Sequence, residues 1–446
     1  MLAEMSLDGR VFAFTFLLAV LTGLVFGLVP AWHASRSNLT ETLKEASRGA
    51  VGGLRRHRWL STFVVAQVAL CVILLVGAGL MLRNLHRLTY ADPGFDPANV
   101  LSLEMELPNS RYTNEPMRLS FYRGVIERIQ NLPGVETVGA VNLLPMGNNN
   151  SNWAFGIEGG PPLEKGKYNL AEYRVVSSDY FQALRIPLKQ GRAFSPQDDG
   201  KGVRIMIINE TLARRYFPGE NPIGRRISFS DMTNALEIVG VVGDQKHFGL
   251  GAEAPPIIYQ PCTQNCWNLM SLVVRAKVEP MSLAAAVRAQ IWAVDKDQPI
   301  TKLRPMDDVV RDSISVQRFS AVLLLGSAGA GLLLAAIGIY GVLAYVVSQR
   351  THEIGVRLAL GAQVRDILRM VVGQGLMLTG MGLGIGLIVS LALGRLMQAV
   401  LYELSGNDPW TFSAVSILLG VVAAVACCLP ARRATRVDPI VALRYE

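Results

Sequence analysis

From Phe319 to Gln349 the chain reads FSAVLLLGSAGAGLLLAAIGIYGVLAYVVSQ, thirty-one residues without a single Asp, Glu, Lys or Arg. About 20 such residues cross the roughly 30 Å hydrocarbon layer of a bilayer. A core helix of a soluble protein keeps a polar face at helical period, and this stretch has none. At 1.5 Å per residue the helix would be about 46 Å long, so it should project from the membrane unless it tilts or kinks near Gly326, Gly329, Gly338 or Gly341. Working outward, four more charge-free blocks occur: Val11 to Ser35, Trp59 to Leu82, Met370 to Gly394 and Pro409 to Ala431. The first is expected to be a retained span and not a signal peptide. Glu4 and Asp8 stand where a basic n-region would, and Arg36 follows without a small-residue cleavage site. The expected fold class is a membrane protein, an α-helical transmembrane bundle of five spans.

The composition of the 446 residues agrees, since 50% are hydrophobic and 17% charged. Those proportions exclude a disordered chain and argue against an ordinary soluble enzyme. The net charge of +8 lies where topology would put it. Residues 33–58 hold Arg36, Lys44, Arg48, Arg55, Arg56 and Arg58. The loop after Gln349 holds Arg350, Arg357, Arg365 and Arg369, and the tail holds Arg432, Arg433, Arg436 and Arg444. Threading five helices brings these three segments to one face, which the positive-inside rule makes cytoplasmic. The N-terminus would then lie outside and the C-terminus inside. No reading motif or interleaved aromatics accompany the bases, so nucleic acid is not an expected partner.

Arg83 to Arg318 is too long and polar for a loop, and threading places it across the membrane from the basic segments. Its patterns predict a large α+β extracytoplasmic domain. Strands are expected at Val100 to Leu107, Val203 to Ile208 and Ile238 to Val242, and helices at Met117 to Gln130 and Met281 to Val294. Turns are expected at Pro161-Pro162, Pro218-Gly219 and Pro255-Pro256. Cys262 and Cys266, in Pro-Cys-Thr-Gln-Asn-Cys, suit a disulfide closing a short loop, with free thiols the alternative and zinc behind both. Cys71, Cys427 and Cys428 fall in spans, where a small buried side chain needs no further role.

Two stretches four hundred residues apart echo each other. Pro30, Ala31, Ala34, Arg36 and Leu43 match Pro430, Ala431, Ala434, Arg436 and Leu443, and Asp8, Phe12 and Leu18 match Asp408, Phe412 and Leu418. Residues 1–45 would then close one membrane module, and a second would follow.

Several stretches carry a family resemblance. They are Arg350-Thr351-His352-Glu353-Ile354-Gly355-Val356-Arg357 with Ala359-Leu360-Gly361-Ala362, and Pro430-Ala431-Arg432-Arg433-Ala434 with Asp438-Pro439. In the outer domain they are Ile208-Asn209-Glu210, Arg214-Arg215-Tyr216-Phe217-Pro218, Pro222-Ile223-Gly224 and Ile238-Val239-Gly240-Val241-Val242-Gly243-Asp244. Residues 54–446 resemble the MacB/FtsX-like permeases of mechanotransmission-type ABC transporters. The partial upstream copy is similar to the duplicated orphan permeases of that family.

The resemblance implies five segments in a bacterial inner membrane protein. Residues 1–45 would be the last transmembrane helix and tail of a preceding copy, 46–58 a basic cytoplasmic linker, and 59–82 the first span of the second copy. Residues 83–318 would be a MacB-like periplasmic core domain, and 319–446 an FtsX-like permease domain with three spans. Implied partners are a cytoplasmic ABC ATPase subunit, a second permease module in a homo- or heterodimer, membrane lipid and a periplasmic adaptor.

The segment Gln349 to Arg369 flanks apolar residues with charge, and such an amphipathic helix either lies at the lipid interface or docks into a partner's groove. The resemblance favours docking, with ATPase coupling assigned to Arg350, Glu353, Ile354, Gly355, Arg357, Leu360 and Gly361. Gly380 with Gly384, and Gly382 with Gly386, form interleaved small-xxx-small pairs for close helix packing.

No catalytic, cofactor or metal site is expected. The sequence has no G-x-x-x-x-G-K-[ST] phosphate loop, and Gly159-Gly160-Pro161-Pro162 with Gly166-Lys167 has the wrong spacing. His352-Glu353 lacks the second His of a zinc protease motif. The leading expectation is an export permease driven by an ATPase on another chain. The alternatives are a non-transporting regulator of an extracytoplasmic hydrolase and a membrane-anchored sensor or binding module.

Overall fold

The computed structural model describes residues 9, 13–17, 51–147, 149–160, 168–195, 197–199, 202–229, 235–350, 353, 354, 356, 357, 360, 363–396 and 408–434, with the backbone alone at 51–58, 364, 395, 396, 433 and 434. Among the described residues four helices are long and apolar enough to cross a membrane: Trp59–Thr89, Ser315–Gln349, Arg365–Gly394 and Pro409–Arg432. They account for four of the five expected spans. The expected span at 11–35, apart from 13–17, falls outside the described residues, as do the upstream residues of the echo and, of its downstream ones, 436 and 443. The expected turn at 161–162 and the coupling residues Gly355 and Gly361 also fall outside them.

The spans belong to helices α1 (Val51–Thr89), α7 (Ser315–Gln349), α8 (Val364–Leu396) and α9 (Pro409–Ala434). Helix α7 runs unbroken for 35 residues through all five of its glycines, including Gly326, Gly329, Gly338 and Gly341. The expected amphipathic helix from Gln349 to Arg369 is not one helix. Residues 353, 354, 356 and 357 are helical, Leu360 is in a turn, and α8 begins at Val364. Arg365, Asp366 and Arg369 therefore belong to the first turns of a membrane helix.

The outer domain contains strands β1 (Val100–Glu106), β2 (Val135–Val141), β3 (Asn152–Ile157), β4 (Asn169–Val176), β5 (Leu188–Gly191), β6 (Ile205–Asn209), β7 (Arg226–Ser228), β8 (Leu236–Val242), β9 (Ile257–Pro261), β10 (Leu269–Ala276) and β11 (Thr301–Pro305). Its helices are α2 (Glu115–Gln130), α3 (Tyr180–Ala183), α4 (Glu210–Tyr216), α5 (Ala284–Val294) and α6 (Met306–Asp312). The sheet order is β11-β1-β10-β2-β4-β3-β7-β8-β6-β9, with β5 on β8.

The segments β1-α2-β2 and β10-α5-β11 form two split β-α-β halves whose strands interleave antiparallel. Strands β3 to β9 are inserted between those halves. Asn114 caps α2 by accepting the Met117 N–H at 3.0 Å. Phe121, Val125 and Ile129 of α2, with Val287 and Ile291 of α5, cover Leu101, Leu103 and Met105 on one face of the sheet. The other face gathers Val100, Val141, Val273, Tyr180 and Met306 into a second cluster.

Two compact units divide the chain: residues 73–330 with 388–415, and, among the described residues, those before 73 with 331–387 and those from 416 onward.

Candidate functional site

In the first unit, the second cluster joins the outer domain to its supporting helices. Leu88, at the end of α1, and Ile314, just before α7, are both buried in it beside Phe95, Met306 and Val309. The chain leaving α1 turns through Gly94, whose φ is +82°, and a Cβ there would come within 1.9 Å of the Asp244 carbonyl oxygen. Only glycine fits that approach. Lys246 N–H donates to the Pro93 carbonyl at 2.9 Å, fixing the turn to the segment after β8.

Arg275 of β10 secures the same turn. Its Nε donates to Ala183 O at 2.6 Å, Nη1 to Ala98 O at 3.0 Å and Asp96 Oδ2 at 3.2 Å, and Nη2 to Asp96 O at 2.7 Å. Arg275 is only 2% exposed. Asp96 also accepts from Arg185 Nη1 at 2.9 Å, and its N–H donates to Leu184 O at 2.9 Å. One guanidinium thus ties α1's exit to α3 and to a central strand. The forked donors of arginine satisfy this geometry, and a lysine could not. The sequence reading missed Arg275. Its one signal is a charge on the same strand face as Val273 in the otherwise uncharged run Leu269–Ala276.

Two of the quoted motifs meet nearby. Asn209 Oδ1 caps α4 by accepting Leu212 N–H at 3.1 Å and also accepts Ile257 N–H at 2.9 Å. Its Nδ2 donates to Asp244 Oδ1 at 2.7 Å. Asp244 accepts further from Thr211 N–H at 2.7 Å, Thr211 Oγ1 at 2.8 Å and Arg214 Nη2 at 2.7 Å. The Asn209 and Asp244 stretches are therefore one structural knot beside the Gly94 turn. Beneath it Glu172 and Arg174, each 2% exposed, pair at 2.7 Å. His247 is buried against Asn149 O at 3.2 Å. Burial first, and then the Arg174 charge, push the His247 pKa down to about 3, with the Asn149 hydrogen bond opposing.

In the second unit, the coupling residues form a small charged step on an apolar seat. Ile354 is buried at 1% exposure and lines a small cavity together with Val346, Val347, Arg350, Met370, Val371 and Gln374. Glu353 pairs with Arg357 at 2.5 Å, four residues on, with Arg350 Nε at 4.0 Å. Glu353 and Arg357 are 45% and 48% exposed, and Leu360 is exposed at 82%. A Glu placed four residues before an Arg is the favourable helical order.

The alternating glycines Gly380, Gly382, Gly384 and Gly386 of α8 divide between two faces. A Cβ on Gly382 would come 2.7 Å from Val68 Cβ, and one on Gly386 would come 2.6 Å from Val72 Cβ, so both are packed against α1. Among the described residues, Gly380 and Gly384 meet nothing within 4 Å.

Cys262 and Cys266 are brought together in the first core cluster. Their sulfurs lie 2.6 Å apart, unbonded. Among the described residues no group of three or more His, Cys, Asp or Glu side chains is placed to hold a metal ion.

The profile of the MacB-like periplasmic core domain matches residues 60–294, and that of the FtsX-like permease C-terminal domain matches residues 326–439. The macrolide export ATP-binding/permease protein MacB of Azoarcus sp. is 24% identical over 445 residues, covering 93% of this chain and 61% of the relative. The pyoverdine export ATP-binding/permease protein PvdT of Pseudomonas aeruginosa is 24% identical over 453 residues, covering 93% of this chain and 63% of the relative. The chain thus spans less than two thirds of the length of these curated relatives. The crystal structure of the periplasmic region of MacB from Actinobacillus actinomycetemcomitans is 15% identical, with a TM-score of 0.34, and covers 50% of this chain and 95% of that one.

Proposed function

The chain belongs to the MacB-like family of FtsX-type permeases, and on that premise we propose that it relays motion from a cytoplasmic ATPase subunit to its periplasmic domain, driving export. The observation that carries this reading is the shared burial of Leu88 and Ile314 in one cluster of the outer domain. Both helices that bracket the domain end in it, so a rotation or shift of either is delivered to the sheet. Such a linkage moves a body outside the membrane without carrying solute between the helices.

The drive would enter at Glu353, Arg357 and Leu360. Their exposed charges and exposed leucine, seated on buried Ile354, have the make-up of a surface that docks into a partner's groove. In this reading the basic segments lie in the cytoplasm of a bacterial inner membrane, with the N-terminus outside and the C-terminus inside. Residues 1–45 close a preceding copy, 46–58 link it to the second, and ATP is hydrolysed on another chain. A second permease module packs on the open Gly380 and Gly384 face, and a disulfide joins Cys262 to Cys266. The two relatives' names specify different cargoes, macrolides and pyoverdine, so the cargo is set by residues outside the shared pattern.

The test is co-purification from native membranes of an ATP-hydrolysing partner, expected with the natural chain and lost with Glu353→Lys and Arg357→Glu. Retention by both variants would remove the docking role. Absence of such a partner from the natural chain would remove the relay.

A further inference from the structure

One charged pair lies in the first unit outside everything used so far. Arg83 stands at the domain-side end of α1, and Asp408 directly precedes α9, 325 residues later. The Arg83 guanidinium donates to Asp408 Oδ2, and Thr411 Oγ1 donates to the same oxygen at 2.6 Å. The Asp408 side chain is only 8% exposed. A carboxylate so far removed from water is unfavourable unless a cation and further hydrogen bonds satisfy it, and here both are present.

Below the pair, Gly79 faces Thr411. A Cβ on Gly79 would lie 2.7 Å from Thr411 Cγ2 and 3.9 Å from Thr411 Cβ. The missing side chain lets the two helix ends meet, and the ion pair closes the contact one turn above. Trp410, 76% exposed beside it, is of the type that anchors a span at the membrane surface.

We infer that Arg83 and Asp408 are positioning residues that clasp the domain-side end of the last span to the stalk of the outer domain, so that α9 carries the domain together with α1. The lever then has three members at this level where two bracket the domain in sequence. Its role in export rests on the relay proposed above, whereas the clasp itself is a property of these helix ends and is tested without a partner.

Gly79→Cys with Thr411→Cys is introduced into the full chain, and oxidation is followed in native membrane vesicles. Cross-linking is read on a non-reducing gel after cleavage at a protease site engineered in the outer domain. The 3.9 Å separation of the Cβ positions falls within the ~3.5–4.5 Å that a disulfide takes. Ready cross-linking is expected. Asp408→Ala in the same background slows it about tenfold, equivalent to about 1.4 kcal/mol in holding the ends together.

The swap Arg83→Asp with Asp408→Arg restores the rate to within about twofold. This separates a lost clasp from a misfolded chain. A rate indifferent to Asp408→Ala, or a swap no better than the single change, overturns the inference. In membranes that trap nucleotide with vanadate, the cross-link is expected to form equally well with and without trapping. Its loss on trapping overturns the joint movement. Failure to trap nucleotide would count against the relay and leave the clasp to be decided by the first measurement.

Discussion

Arg275 and Glu353 are both charged residues with ionic partners, and they are built in opposite ways. Arg275 is 2% exposed and donates to two carboxylate or carbonyl sites on Asp96 and to the carbonyls of Ala98 and Ala183. Glu353 is 45% exposed, with one close arginine on its own turn. A buried charge that loses its partner costs about 3–5 kcal/mol, whereas an exposed pair is worth about 0.2–1 kcal/mol. The first arrangement suits a joint that stays closed. The second leaves charge available to a partner at little cost to the fold. The comparison therefore predicts that stability and coupling fail at different residues.

The largest effect is expected at the joint. Arg275→Met should destabilise the outer domain of the full chain by about 3–5 kcal/mol, read by urea unfolding in detergent, because the carbonyls of Ala183, Ala98 and Asp96 all lose their donor. Arg275→Lys should recover only part of this, because one ammonium cannot reach sites fixed by a planar fork. A loss under about 1 kcal/mol for the Met variant would break the comparison at its stronger end.

Next is the pH response of the buried layer beneath that joint. The unfolded chain binds a proton at His247 near pH 6.5, but the folded chain does so only near 3. A folded pKa depressed for a histidine means that its contribution to stability is complete above about 6.5 and is lost as pH falls toward 3. The outer domain should lose about 2–3 kcal/mol between pH 6.5 and 4.5, and His247→Gln should flatten most of that slope. An identical slope in the variant would place the acid sensitivity elsewhere.

How much of this was legible in the sequence follows from the range of the interactions involved. Four membrane helices could be read directly, because absence of charge over some 20 residues is a local property. So were β1 and α2, whose periods of two and near 3.6 hold over whole elements. The pairing of β1 with β10 could not be read, since their partners lie about 170 residues apart, as Val100 and Arg275 show. Arg275 itself looks like any charge near a strand end until the turn from α1 is laid across it. The break in the segment after Gln349 was obscured for the opposite reason. Arg365, Asp366 and Arg369 continue a helical pattern, but it is that of α8. Of the α8 glycines, sequence gave the spacing alone, and their two faces became distinct only when α1 was in place.

That distinction yields a smaller effect. Gly382→Val would drive a side chain into Val68 Cβ and the Val65 carbonyl, both within 2.9 Å of the new Cβ. Overpacking of this kind costs about 1–3 kcal/mol. Gly384→Val meets open space among the described residues and should leave the melting temperature of the monomeric chain in detergent within about 1 °C. Equal losses in the monomer would mean that the chain itself already covers this face of α8, which would remove it as a seat for a second module.

The smallest stability change is expected at Glu353, and it makes the sharpest test of what the exposed pair is for. Glu353→Lys should move unfolding by no more than about 0.5 kcal/mol while abolishing stimulation of the partner's ATP hydrolysis. That alone would not show whether the partner reads Glu353 or merely needs the turn held in shape. The exchange Glu353→Arg with Arg357→Glu keeps an ion pair on the same helical face and inverts the charges it presents. If the pair only braces the turn, the exchange should recover stimulation to within about twofold. If the carboxylate is presented to a partner, stimulation should remain lost although the fold is intact. The second result is the one expected from an exposed Glu353 and Arg357 seated over buried Ile354.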